Sequence, residues 1–137
     1  MVKAVLDPGV LVSAAISPQG APRELLRLWL EGEFELMISP KLLGELESVL
    51  KYDKFRKYLS LGEVEEYPGL FQNSALRVDD PPAVSGLTPD PGDDHLVNLA
   101  RSCDAHFLIS GDPHLVELDD PRFPVLTPRA FLKWLQV

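Results

Sequence analysis

Acidic side chains recur in this 137-residue chain at the points where apolar runs stop. Asp7 follows VKAVL, Asp112 follows HFLISG, and Asp93 and Asp94 stand where the helical stretch HLVNLARSC begins. Glu45 lies one turn into KLLGELESVLKY. Carboxylate oxygens are hard ligands, and a few of them brought together with room left for water suit Mg²⁺ or Mn²⁺. Without a cation such a cluster repels itself, so at least one member should hold its proton more tightly than usual.

Each acid also has a plain structural reading. Asp7 can be a helix N-cap. Glu45 borders an apolar stripe, where a solvated glutamate is the usual case. Asp93 and Asp94 suit the positive end of a helix dipole, and Asp112 in Ser-Gly-Asp-Pro can be a turn residue. Singly these signals are weak; together they would form a site if the fold brings them to one place.

The elements that must do so can be read from pattern. VKAVL (2–6) reads as a short buried strand, and VLVSAAIS as a short helix ending before Pro18-Gln19-Gly20. RELLRLWLEG is an amphipathic helix stopped by Gly32. FELMIS (34–39) is a second strand, after which Ser39 caps a helix with Pro40 in its first position. Leu42, Leu43, Leu46, Val49 and Leu50 share one face of that helix. Residues 53–72 suggest one or two short helices, with the capping-box spacing Ser60-x-x-Glu63. SALRVDD (74–80) is a third strand, the proline- and glycine-rich 81–93 a loop, and DHLVNLARSC a helix. HFLIS (106–110) and FPVLT (123–127) are strands, and Thr127 caps a closing helix from Pro128. Alternating strands and helices predict an α/β fold with a mostly parallel sheet. Such sheets bind ligands beyond the carboxyl ends of their strands, where strand order reverses, and the acids lie after strands or near helix starts.

Composition narrows the class. A single domain over 1–137 is the simplest organisation. With 45% hydrophobic and 25% charged residues the chain reads as soluble and globular. Its apolar runs fall short of the roughly 18 residues of a membrane span, and the start does not resemble a signal peptide. One cysteine, Cys103, excludes an internal disulfide and fits a reducing, cytoplasmic setting. The net charge of −8 argues against passive nucleic-acid binding through phosphate contacts. It does not argue against a nuclease whose carboxylates are neutralised by divalent cations.

The stretches VLDPGVLVSAAISPQGAP, FELMISPKLLGELESVLKYDKF, DPGDDHLVNLARSCDAHFLISGDPHLVEL and FPVLTPRAFLKWL resemble the PIN-domain proteins. The likeness is to bacterial and archaeal VapC-like members, toxin components of toxin–antitoxin pairs, and it runs nearly end to end. It implies a three-layer α/β/α fold with a central five-stranded, mostly parallel sheet. It also implies a metal-dependent ribonuclease with four acids, which fall here on Asp7, Glu45, Asp93 and Asp112. Asp7, Asp93 and Asp112 would hold Mg²⁺ or Mn²⁺, directly or through waters, with Glu45 completing the cluster or orienting the attacking water. Ser110 would support them by a hydrogen bond, and Asp94 is the neighbouring candidate to Asp93. The same resemblance implies an RNA substrate, a cognate antitoxin and a homodimer, and no membrane partner.

The chain departs from the family at its opening, reading Asp7-Pro8-Gly9 where Asp-Thr-Asn or Asp-Ser-Asn is usual. Loss of such outer support typically costs about 10–100-fold in metal affinity or activity. A PIN-like RNA- or protein-binding module with weak or lost catalysis is therefore the alternative. A phosphatase is disfavoured, since no Asp-x-Asp pair follows the first strand. His95, His106 and His114 form no metal-binding pair at helical spacing and read as structural or surface groups; Cys103, placed mid-helix, reads as packed. Lys51, Lys54, Arg56 and Lys57 interleave with Tyr52, Phe55 and Tyr58, a mixture that suits RNA contact or an ordinary amphipathic helix.

Overall fold

The computed structural model describes residues 1–136. Its centre is β1 (Lys3–Leu6), which lies between β2 (Glu35–Ile38) and β4 (Phe107–Ile109). The five strands run in the order β3-β2-β1-β4-β5, all of them parallel. Ala4 stands opposite Leu36 on one side and Phe107 on the other, while Val5 faces Leu108 and Leu6 faces Ile109. Helices cover both faces in a three-layer α/β/α arrangement, so both sides of a central strand are buried. That is why β1, β2 and β4 read as continuous apolar runs rather than alternating ones.

The edges are short. β3 is reduced to Leu76–Arg77 and β5 to Val125–Leu126. The strand expected over 74–80 contracts because β3 pairs only with β2 and both of its side chains are exposed. From β1 the chain builds outward through β2 to β3, then crosses to build β4 and β5 on the other side. Strand order therefore reverses at the β1–β4 junction, and the carboxyl ends of those two strands flank the crevice where α/β proteins bind ligands.

Helix starts are set by local chemistry. Asp7 caps α1 (Pro8–Ile16), with Pro8 in the first turn. Glycine at 32, with φ of +83°, ends α2 (Ala21–Leu30) in a conformation that other residues resist. Ser39 Oγ accepts from Leu42 N at 3.2 Å to start α3 (Pro40–Leu50). The capping box at Ser60 and Glu63 forms in both directions, at 3.1 and 3.0 Å. Behind it runs one continuous α4 (Leu61–Ser74), preceded by a 3₁₀ turn at Asp53–Phe55, where short helices over 53–72 were expected. α5 (Asp94–Ser102) and α7 (Pro128–Gln136) match their sequence signals, whereas the four-residue α6 (Pro113–Val116) was not anticipated. Cys103 follows α5 as its C-cap, not mid-helix, and burial pushes its thiol up.

The core is continuous across the sheet. Phe131 of α7 packs against Phe34 and Phe107 at ring distances of 5.1 and 5.4 Å. On the α4 side, Phe71 stacks on Trp29 at 5.3 Å. Among the described residues no helix is long and apolar enough to cross a membrane.

Candidate active site at the carboxyl edge of the sheet

Asp7 is fixed in three ways. Its N–H donates to Ile109 O at 2.9 Å, carrying the β1–β4 pairing one residue beyond the strand. Its Oδ1 accepts from Gly9 N at 2.9 Å, and its Oδ2 accepts from the Ser110 hydroxyl at 2.8 Å. The cap and the site are thus one structure. The backbone amide of Gly9 supplies an orienting donor at the position where the family usually carries asparagine. Both carboxylate oxygens of Asp7 thus hold a hydrogen bond, one of them from a backbone amide that any residue at position 9 would supply.

Ser110 is completely buried just after β4. While its hydroxyl donates to Asp7, its Oγ accepts from Asp112 N at 3.0 Å. Asp112 caps α6 by accepting from His114 N through Oδ1 at 2.9 Å. One buried hydroxyl therefore ties the ends of β1 and β4 together and sets the backbone from which the second carboxylate projects.

Asp93 closes the 3₁₀ turn Pro91–Asp93 that leads into α5. Its carboxyl is pushed up to about 6, first by burial and then by Asp7, Asp90, Asp112 and Glu45. Those four groups act on one carboxyl from the end of β1, from α3, from the end of β4 and from its own turn. Asp90 is the member the sequence reading missed. It caps the 3₁₀ turn by accepting from Gly92 N at 2.9 Å, and its place three residues before Asp93 in Asp-Pro-Gly-Asp was the available signal.

Asp94 does different work. Its buried carboxylate accepts from Gly86 N at 3.0 Å, Thr88 N at 2.7 Å and Thr88 Oγ1 at 2.9 Å. Burial alone would raise it, but these donors hold it below its ordinary range. It clamps the loop before α5. Glu45, partly exposed on α3, has another neighbour the sequence did not reveal. Nε2 of the nearly buried His95 lies 2.5 Å from its Oε2. The ring's other nitrogen, Nδ1, is buried and has no hydrogen-bond partner among the described residues.

The basic segment after α3 stands apart. Arg56 donates to Leu50 O, and to Tyr52 O and Leu59 O at 3.4 Å each, so its guanidinium caps the end of α3. The ammonium of Lys54 sits over Tyr52 and Phe55, and that of Lys57 over Tyr58, at 5.9, 5.2 and 5.1 Å. With Lys51, they begin where α3 ends, about 15 Å along the axis from its site-facing start. The fold does not gather these cations with the carboxylates.

Among the described residues, no three His, Cys, Asp or Glu side chains are grouped closely enough to enclose a metal ion. The donors at this edge are all oxygens and mutually repulsive, as Asp93 shows. By type these oxygen donors fit Mg²⁺ or Mn²⁺, although the side chains as placed do not converge on one point.

Comparison with known proteins gives one consistent answer. A family model described as PIN domain matches residues 3–114. An uncharacterized protein of Methanocaldococcus jannaschii, MJ1680, is 28% identical over 142 residues, spanning 96% of this chain and 90% of that protein. The crystal structure of VapBC2 from Rickettsia felis, bound to a DNA fragment from its promoter, superimposes with a TM-score of 0.63 at 14% identity, covering 92% of this chain and 98% of that one. PAE2754 from Pyrobaculum aerophilum superimposes with a TM-score of 0.65 at 14% identity, covering 98% and 90%. At that identity the two structures establish the shared fold.

Proposed function

The chain belongs to the PIN-domain family, and on that premise we propose that it is a metal-dependent endoribonuclease, restrained by a cognate antitoxin. The observation that carries this is the Ser110 hydroxyl joining Asp7 to the backbone of Asp112 at the strand-order switch. A buried serine spent on orienting two acidic positions is costly as a mere turn and apt as the support of a charged centre. The fold shared with VapBC2 supports the antitoxin partnership.

In this mechanism Asp7, Asp93 and Asp112 would hold Mg²⁺ or Mn²⁺, directly or through waters. When bound, such an ion lowers the pKa of water and offsets charge developing on the phosphate oxygens. Ser110, shut away from solvent, keeps the Asp7 carboxylate from rotating as charge builds at the site. Glu45 accepts a hydrogen bond from the attacking water and aligns it. Asp90 adds negative charge at the rim and strengthens cation capture. Lys51, Lys54 and Lys57 would meet an RNA that runs along α3 away from the centre. Against the non-catalytic alternative stands the support Asp7 keeps, with both carboxylate oxygens hydrogen-bonded despite Pro8-Gly9.

The test is cleavage of varied single-stranded and structured RNAs with Mn²⁺ or Mg²⁺, by the wild type and by Asp7→Asn and Asp112→Asn. Cation-dependent cleavage lost in both variants is expected. RNA left intact at levels where a related nuclease works would overturn the proposal.

A further inference from the structure

Beside the carboxylates lies a cavity of about 350 Å³, within the size range of small-ligand sites. Its floor is α5, which contributes His95 and Asn98; its rim carries Lys41 from the first turn of α3, and its outer wall is the loop bearing Val84 and Pro91. This loop is not loosely laid. Asp94 grips it at Gly86 and Thr88, Asn98 Nδ2 donates to Pro82 O at 2.7 Å, and Asp80 at its start accepts from Lys41 N at 2.9 Å. Two side chains of α5 and one of the loop's own, Asp80 on the α3 backbone, hold an otherwise irregular segment in place.

His95 is the unexplained group. Its Nε2 is taken up by the Glu45 carboxylate at 2.5 Å, while its Nδ1 is buried and has no hydrogen-bond partner among the described residues. Buried polar atoms are nearly always paired, so such a group calls for a missing partner. The ring borders the cavity on one side and approaches Glu45 on the other. His95 therefore stands between the cavity and Glu45 of the carboxylate edge.

We propose that this cavity binds one nucleobase of the RNA strand next to the phosphodiester to be cut, with His95 pairing to the base edge and Lys41 to its phosphate. The inference rests on the ribonuclease reading and adds a subsite that selects the sequence cleaved. Apolar walls from Val84 and Pro91 suit the base faces, the imidazole offers a donor or an acceptor, and a lysine at the rim suits the adjoining phosphate. A peptide or a lipid would not call for that combination in so small a space.

The experiment separates this subsite from catalysis. The ring signals of His95 are followed by NMR in magnesium-free buffer while the four nucleoside 5′-monophosphates are added in turn, His95→Gln giving the assignment. A shift that saturates and differs among the four bases is expected, with or without RNA cleavage. No shift, or the same shift from inorganic phosphate alone, overturns the subsite even if the protein cleaves RNA. With active protein, cleavage of RNAs differing only in the flanking base should show a preference that changes at least about 10-fold in His95→Gln. Should His95→Gln fail to fold, Val84→Asp on the exposed wall is the second variant, and an unchanged preference there overturns the proposal.

Discussion

The hydroxyl of Ser110 donates to Oδ2 of Asp7 at 2.8 Å across a sequence separation of 103 residues. Together with the bond from Asp7 N–H to Ile109 O, it couples the two halves of the sheet at this edge. Removing the hydroxyl leaves one carboxylate oxygen and the N–H of Asp112 without partners. Ser110→Ala is expected to lower RNA cleavage about 10–100-fold and to destabilise the fold by about 1–3 kcal/mol. Ser110→Thr keeps the hydroxyl and should retain activity. Steady-state cleavage beside thermal melting checks both, and an alanine variant as active as wild type would remove Ser110 from the mechanism.

Asp93 makes stability depend on pH in an unusual direction. Its folded carboxyl is raised to about 6 from 3.8, so the folded state binds the proton more tightly than the unfolded chain does. Its contribution is fully present below about pH 4 and is lost as pH rises through 6. Asp93→Asn, which removes the charge, should therefore melt higher than wild type at pH 7. The gain is about 1 kcal/mol once solvent screening is allowed for, and it should vanish near pH 4. Melting curves across that range in chelator decide it; identical pH profiles would show that the carboxylates do not repel one another.

Replacing Pro8-Gly9 with the family's Thr-Asn should change little. A side chain at Gly9 would meet Asp7 Oδ1 at 3.6 Å, an ordinary contact, and the donor it adds duplicates one that Gly9 N supplies. Cleavage by the double variant should stay within about 10-fold of wild type. A larger gain in Mn²⁺-dependent rate would mean that the backbone amide is a poor substitute.

Asp94→Ala should free the loop before α5 without lowering Mn²⁺ affinity by more than a few-fold. Gly86 N and Thr88 N would exchange their amide hydrogens faster, since both lose their acceptor. Hydrogen exchange read residue by residue checks the loop, and Mn²⁺ titration checks the site. A loss of metal affinity as large as that in Asp93→Ala would make Asp94 a ligand after all.

Much of the fold was legible because burial on both faces writes a parallel strand as an unbroken apolar run. VKAVL, FELMI and HFLI all stood out in this way, and Ser39-Pro40 and Ser60-x-x-Glu63 announced their helices through backbone donors that need caps. Edge strands hid, since two exposed residues such as Leu76 and Arg77 carry no pattern. So did α6, too short to show a period. That the acids follow strands could be read from pattern, but what separates Asp93 from Asp94 could not. Adjacent residues on a helix point about 100° apart, and only the loop packed against α5 decides which carboxylate is captured. The approach of His95 to Glu45 was equally hidden, because periodicity gives each helix a face and not the neighbour it meets.

Placing β1 in the middle of the sheet has a consequence for the order of synthesis. The strand that bears Asp7 is made first, yet it has to wait for β4 before its outer carboxylate oxygen finds a donor. At about 5–20 residues per second, that wait lasts roughly 5–20 s on the ribosome. Until then the chain carries one acid held only by Gly9, and none of the edge at which Asp112 joins it. A nascent chain, or one cut short before Ser110, is therefore left by topology alone without the bond that joins Asp7 to the Asp112 edge.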